Sequence, residues 1–327
     1  MIQFSGALDP LSQRIVAALQ ADGRASWTRI AAVLGESERT IHRRGTELLR
    51  SGQVRVRGLA HPGRVRNASQ VVLKVSCTAG TTSIAGGALA RRAETVFAYL
   101  TTGAVDCVAE LSVHPSRFSD LVVQEIGAIP GVASYTASPV LGYFRAMHQW
   151  RPDLLTAEEY DALGGATYAT DPGEGSSVEL DKPDQRILTE LTADGRATYD
   201  DLARATGLSV QTVSRRVERL RLDGTLSIRA VFEPALIGLP VEVLLWLELS
   251  FSEIEEVGNQ IITSPSVRYA CALAGAHQLL VDAVFPSRDD LYRYLREAPW
   301  VAQVRAVEPT VVVKPLKRSG VLDLQLG

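Results

Sequence analysis

The 327-residue chain is poor in the residues that redox, metal and disulfide chemistry need. It has three cysteines, Cys77, Cys107 and Cys271. Their number is odd, no two fall at C-x-x-C spacing and all lie in apolar runs, which reads as buried free thiols in a reducing compartment. The five histidines, His42, His61, His114, His148 and His277, are scattered, with no i, i+4 pair and no acid at metal-ligand spacing. No metal site is therefore expected. There is no Gly-rich phosphate loop, no G-x-S-x-G elbow and no Cys-His arrangement, so neither a cofactor nor a catalytic residue is expected. No run approaches the roughly 18 apolar residues of a membrane span. Met1–Pro10 lacks a basic stretch followed by an apolar one; the expectation is a cytoplasmic protein without membrane contact.

What is present is a chain that repeats itself. Leu8–Arg57 and Leu180–Arg229 align without a gap at an offset of 172 residues, with about 20 of 50 positions identical. Among these are Asp9/Asp181, Ala21–Ala25/Ala193–Ala197 (Ala-Asp-Gly-Arg-Ala in both), Gly35/Gly207, Ser37/Ser209, Thr40/Thr212 and Arg43-Arg44/Arg215-Arg216. Such a period is the size of a domain pair, and it reads as tandem duplication of a two-domain protein. Charge is divided unevenly between the copies. Residues 8–66 hold eleven arginines against five acids, whereas residues 180–234 hold nine of each sign. With a net charge of −3 overall, the remainder sums to about −9. A basic segment in a mildly acidic protein is the footprint of a polyanion partner.

Each copy opens with a helical pattern carrying Ile15 and Leu19, or Ile187, Leu188 and Leu191, broken at Asp-Gly-Arg. A short second helix stops at Gly35 or Gly207, and Ser37 or Ser209 caps a third, in which Val210, Val213, Val217 and Leu220 share one face. An extended segment follows, so the pattern is a winged helix-turn-helix. Next come segments with a βαββαβ order, the ferredoxin-like arrangement. In the first copy they are Val71–Cys77, a helix near Thr82–Arg92, Phe97–Thr101, Cys107–Val113, a helix Arg117–Ile126 and Ala133–Phe144. In the second they are Val241–Leu249, a helix Glu253–Thr263, Tyr269–Leu273, Leu279–Phe285, a helix Arg288–Glu297 and Val304–Lys314. In Val241–Leu249 the odd positions are apolar while Glu242 and Glu248 lie on the other face, which reads as a half-buried strand. The expected fold is α+β: winged helix-turn-helix domains at 1–66 and 179–238, ferredoxin-like domains at 67–150 and 239–327. Residues 151–178 hold a short helix, Thr156–Leu163, and a flexible linker, Gly164–Ser177.

The order L-D…D-x-R-I-L…D-G-R…L-A…G-L-S…T-V-x-R-R-V…L…G, followed by βαββαβ, resembles the Lrp/AsnC family of feast/famine transcriptional regulators, twice over. The carrying residues of the second copy are Leu180-Asp181, Asp184–Leu188, Asp194–Arg196, Leu202-Ala203, Gly207–Ser209, Val213, Arg215–Val217, Leu220 and Gly224. The first copy departs at Glu36, where the second has Leu208, and at Gly45, where it has Val217. Glycine inside a helix costs about 1 kcal/mol, so the first head is expected to be looser or more specialised. The resemblance implies double-stranded DNA as partner. Ser37, Arg39, Thr40, Arg43 and Arg44, with Ser209, Gln211, Thr212, Arg215 and Arg216, then fall in the first turns of the helices that enter the major groove. One arginine of each pair is expected on phosphate. It also implies a small-molecule effector, an amino acid, bound at the turn after the second ferredoxin strand. That turn comprises Gly103, Ala104, Val105 and Asp106 in the first copy, with Asp106 facing a ligand ammonium, and Gly275, Ala276, His277 and Gln278 in the second. Paired ferredoxin domains are the family's assembly mode. Tethering two in one chain sets their effective concentration on the order of millimolar, so an intramolecular pseudo-dimer, and a homo-oligomer beyond it, is expected.

Two rivals stand beside this reading. Siroheme decarboxylases use the same fold pair, but resemble one another in a His/Tyr/Arg segment and an N-L-W-F-like strand. Phe97–Thr101 and Tyr269–Leu273 contain neither histidine nor tryptophan. A ligand sensor without DNA binding is opposed by the intact arginine pairs.

Overall fold

The protein is described by a computed structural model over residues 6–61, 68–165, 167 and 179–322. Of the expected linker, all but 164, 165 and 167 lies outside the described residues. The first copy runs through helices Pro10–Ala21 (α1), Trp27–Leu34 (α2) and Glu38–Arg50 (α3) to strand Val54–Ala60 (β1). Ser69–Cys77 (β2), Thr82–Arg91 (α4), Thr95–Thr101 (β3), Cys107–Val113 (β4), Pro115–Asp120 (α5) and Val132–Arg145 (β5) follow. Ala157–Ala162 (α6) stands between the copies. The second copy has Lys182–Ala193 (α7), Tyr199–Thr206 (α8), Val210–Leu222 (α9) and Leu226–Phe232 (β6). It continues with Val241–Glu248 (β7), Ile254–Ile261 (α10), Val267–Leu273 (β8), Leu279–Phe285 (β9), Arg288–Glu297 (α11), Ala306–Arg318 (β10) and Val321–Leu322 (β11). The helix expected at Arg117–Ile126 divides into α5 and one π turn, Leu121–Glu125.

Local chemistry fixes the helix ends. Asp9 and Asp181 accept from the backbone N–H groups of Ser12 and Asp184, each with a proline in the first turn that follows. Gly35 and Gly207 end α2 and α8 with φ of +69° and +72°, left-handed backbone that glycine alone adopts without strain.

The chain forms two compact units, Met1–Arg66 with Arg151–Gly238, and Asn67–Trp150 with Leu239–Gly327. In the first unit the extended segments are not free wings. β1 and β6 pair antiparallel, Val54 opposite Phe232 through Ala60 opposite Leu226, and so join the two helical heads. An isolated strand leaves its backbone groups unpaired; two related strands satisfy each other. Val56 of β1 enters the core of the second head beside Ile187, Leu191, Val213 and Leu220.

In the second unit each copy has the ferredoxin strand order, β3-β4-β2-β5 and β8-β9-β7-β10. β5 also pairs with β8, and β10 with β3, which closes eight antiparallel strands into a barrel. β11 extends β10. Helices α4 and α5 cover one sheet over Leu73, Leu89, Leu111 and Leu121; α10 and α11 cover the other over Val243, Leu245, Val257 and Trp300. The inner faces meet in a third core of Val72, Phe97, Tyr99, Leu244, Trp246, Tyr269 and Leu280. The expectation of a half-buried Val241–Leu249 strand is thus corrected. The face carrying Glu242, Leu244 and Trp246 points into the barrel, and Glu242 is 6% exposed. A barrel has no solvent side within it, so both faces of such a strand are buried. Glu242 is paired accordingly, with Arg268 at 2.7 Å and Arg318 at 2.6 Å.

Candidate nucleic-acid interface

The third helices, α3 and α9, are set alike. The Ser37 and Ser209 hydroxyls accept from the N–H of Thr40 and Thr212, 3.2 Å in each case, and lie 2.8 Å from the threonine hydroxyls. These four residues hold the cap. Arg39, His42 and Arg43 of α3, and Gln211 and Arg215 of α9, are exposed. They form the exposed polar faces of the two helices, while Ile41, Leu48, Val213, Val217 and Leu220 are buried beneath.

The second arginine of each pair is placed differently from the first. Arg44 Nη1 donates to Asp9 Oδ2 at 2.6 Å and to Ser12 Oγ at 3.1 Å. Arg216 Nη1 donates to Asp181 at 2.8 Å and Asp184 at 2.9 Å. Both are half-buried and brace the third helix against the first of the same head. Burial works to raise the Asp9 carboxyl, but hydrogen bonds from Ser12 and the Arg44 guanidinium bring it below its ordinary value. Asp181 is lowered by the Asp184 N–H and then by Arg216. Gly45 is also not a loose point. A Cβ there would come within 2.3 Å of the Trp27 ring, so the missing side chain is the space that the indole fills.

The Asp-Gly-Arg segments that end the first helices also hold the two heads together in a reciprocal clasp. Arg24 Nη1 donates to the carbonyls of Gly195 at 3.1 Å and Ala197 at 2.9 Å, and Arg196 Nη1 to that of Gly23 at 2.7 Å. Each guanidinium also lies over an aromatic ring of the other head, Arg24 4.7 Å from the centroid of Tyr199 and Arg196 4.8 Å from that of Trp27. Gly23 N–H donates to the Ile228 carbonyl and Gly195 N–H to that of Val56. A Cβ on Gly23 would meet the Ile228 carbonyl oxygen at 2.9 Å, and one on Gly195 the Arg57 nitrogen at 2.8 Å. Arg57 and Arg229, again equivalent, donate to the Ala193 and Ala21 carbonyls. The one signal available beforehand was Ala-Asp-Gly-Arg-Ala, the longest unbroken identity between the copies.

The two turns in the ferredoxin domains also match. Asp106 Oδ2 accepts from the Cys77 N–H at 2.7 Å, and Gln278 Oε1 from the equivalent Leu249 N–H at 3.1 Å. Gln278 Nε2 further donates to the Gly275 carbonyl at 2.8 Å. Position 106/278 therefore ties the turn to the end of the first ferredoxin strand in both copies. Gly103 has φ of +97° with open space around it, whereas a Cβ on Gly275 would meet Ser138 Oγ at 2.9 Å. Thr102, Gly103 and Ala104, like Gly275 and Ala276, are exposed. Beside the second turn, His277 lies 3.2 Å from Glu308, which also pairs with Lys74 at 3.1 Å. Burial and the Lys74 charge hold His277 below its ordinary value. Among the described residues no group of histidines, cysteines and acids could hold a metal ion, and no helix is long and apolar enough to cross a membrane.

Comparison with known proteins agrees with this geometry. The AsnC-type helix-turn-helix domain matches at residues 8–48 and again at 180–221. The HTH-type transcriptional regulator FL11 of Pyrococcus horikoshii is 32% identical over 149 residues, 45% of this chain and 99% of the relative. FL11 of Pyrococcus abyssi is 30% identical over 149 residues, with the same coverage. The chain belongs to the Lrp/AsnC family. It is a tandem form of these DNA-binding transcription regulators, with one AsnC-type helix-turn-helix domain in each copy. The siroheme decarboxylase NirDL has a like fold over the whole length, with a TM-score of 0.63 over 96% of this chain and 94% of that one. Its sequence identity is 13%, so the likeness is one of fold alone.

Proposed function

We propose that this Lrp/AsnC regulator reads an asymmetric DNA site through two unlike heads, and that an amino acid or related metabolite bound at the ferredoxin turns modulates it. The observation that carries the first part is the pair of exposed faces, Arg39, His42 and Arg43 against Gln211 and Arg215, on heads joined by one clasp. Arginine suits the O6/N7 edge of guanine and glutamine that of adenine. Arg44 and Arg216 serve as braces in this reading. Whole chains associate further in the cytoplasm. Selection of bound DNA from random sequence, with footprinting, should return unlike half-sites. A palindromic consensus, bound equally well after residues 209–216 are exchanged for 37–44, would refute the assignment.

For the effector, the open Gly103 turn offers backbone amides to a carboxylate, and Asp106 keeps one carboxylate oxygen beyond its bond to Cys77. Asp106→Asn retains an acceptor for Cys77 and removes the charge. We expect the variant to fold, and to lose the rise in melting temperature that the effector gives the wild type, roughly 2.7 kcal/mol at a hundred times Kd. A screen of the proteinogenic amino acids that shifts nothing would exclude this class. For a siroheme decarboxylase, β3 and β8 would need groups that address a tetrapyrrole, and neither strand has histidine or tryptophan. A change in absorbance on adding siroheme to the protein would revive that reading.

A further inference from the structure

We infer that the second ferredoxin domain binds a guanidinium-bearing small molecule on its helical side, at a site separate from the turns above. A groove of about 460 Å³ opens there, lined by α10, the end of β9, α11 and the turn 299–303. That volume is in the range of small-molecule sites, roughly 300–1,000 Å³. Phe285, Tyr294 and Trp300 form its apolar wall, and Gln260 and Glu297 are among its polar groups. The Tyr294 hydroxyl is engaged by Trp300 Nε1 at 3.2 Å. Arg293, on the rim, is occupied by Asp290 at 3.1 Å.

The duplication shows what the equivalent place in the first domain contains. There Arg117 bridges Glu94 at 3.0 Å and Glu125 at 2.7 Å, and Arg92 pairs with Glu125 and lies 3.7 Å from Glu94. Two guanidinium groups thus occupy the two acids. At the offset of 172, Arg92, Glu94, Arg117 and Glu125 become Ser264, Ser266, Asp289 and Glu297. Both arginines are gone, one of the two original acids is kept as Glu297, an acid (Asp289) replaces Arg117, and Glu297 has no ion pair among the described residues. Ala88 becomes Gln260, whose buried Oε1 has no hydrogen-bond partner. The groove accordingly presents an anionic acceptor beside an aromatic wall, with the unpartnered Gln260 Oε1 buried next to it, at the place where its twin holds guanidinium of its own. A free guanidinium suits this lining, able to pair bidentately with Glu297 and to stack on the aromatic wall, with Gln260 Oε1 as an unsatisfied acceptor beside it. An ammonium lacks the planar fork.

The test is calorimetric titration of the full chain with agmatine, and with 1,4-diaminobutane as the ammonium control. Agmatine should bind once per chain. Glu297→Gln, at an exposed position, should leave the fold intact and weaken binding roughly tenfold or more. Ser264→Arg, which restores the first domain's own occupant, should abolish it. The inference fails if agmatine gives no binding, if the diamine binds as tightly, or if Glu297→Gln binds agmatine like the wild type. None of these outcomes bears on the turns, whose ligand is tested by Asp106→Asn.

Discussion

The two copies keep the same glycines and arginines at the joint between the heads and differ inside the barrel. At the joint between the heads, Gly23/Gly195, Arg24/Arg196 and Arg57/Arg229 are identical, and each makes the same bond to the opposite copy. Inside the barrel the equivalent positions have diverged. Glu110 and Asp282 are the same position, 2% and 1% exposed. Glu110 accepts from the Tyr143 hydroxyl at 2.5 Å and has no cation among the described residues. Asp282 sits beside Glu242, with Arg268 3.8 Å away. In a two-fold contact each copy is both donor and acceptor, so an arginine that reaches the other copy's backbone carbonyls serves the same purpose on both sides. A contact on one side only is free to change, and a duplicated chain, unlike a homodimer, can change one copy without the other.

The clasp is the place to break the agreement. Each arginine donates charge-assisted bonds to buried carbonyls, and losing such a bond costs about 1.5–3 kcal/mol. Arg24→Ala with Arg196→Ala should therefore lower unfolding stability by roughly 4 kcal/mol, seen as a fall in the denaturant midpoint. If the joint is symmetric in energy, the single variants cost the same. A double variant no weaker than the wild type would mean that the β1–β6 pair and the buried Asp22–Arg221 bridge, 2.7 Å, suffice to hold the heads.

Glu110 and Asp282 sharpen the difference. Burial raises the Glu110 carboxyl from 4.5 to about 7, against the lowering effect of its tyrosine partners. The folded chain then holds this proton where the unfolded chain has lost it, so stability should fall as pH rises from about 4.5 through 7, by roughly 3 kcal/mol in all. Glu110→Gln should remove that part of the slope in chemical denaturation across this pH window. Burial and Glu242 also raise Asp282, while Arg318 and Arg268 keep Glu242 below its ordinary value. Asp282, raised to about 8, should keep losing stability above pH 7, where the Glu110 contribution has ended, so Asp282→Asn should flatten the slope up to about pH 8 and Glu110→Gln only up to about 7. An Asp282→Asn effect that ends at about pH 7 would contradict this difference.

Gly45 gives a smaller effect with an informative sign. On helix propensity alone Gly45→Ala should gain about 1 kcal/mol. With a Cβ 2.3 Å from the Trp27 ring, overpacking of about 1–3 kcal/mol should outweigh the gain. In a Trp27→Ala background Gly45→Ala should regain the favourable sign, which thermal unfolding of Gly45→Ala, Trp27→Ala and the double variant would read.

Much of the fold was legible because it follows from local pattern. Serine and aspartate caps, glycine stops and apolar periodicity mark α1 to α3 and α7 to α9. The 172-residue offset places β3 and β4 on β8 and β9 residue for residue. The positions on α3 and α9 were legible too, since cap and helical period alone decide that Arg39, Arg43, Gln211 and Arg215 lie near the start of their helices. What each arginine does was not. Arg43 and Arg44 are neighbours of one type in sequence, and only the packing of α3 against α1 separates an exposed guanidinium from one that braces Asp9. Likewise the strand period shows that Glu242 faces away from Val243 and Leu245, but whether that face meets water depends on barrel closure by β5–β8 and β10–β3, a contact between distant segments. The sequence by itself determined the elements, their order and their duplication, because these rest on interactions within a few residues. The tertiary structure decided which wing strand pairs with which, which charges are buried and which glycine makes room for a ring, because those depend on surfaces that come together only when the two copies do.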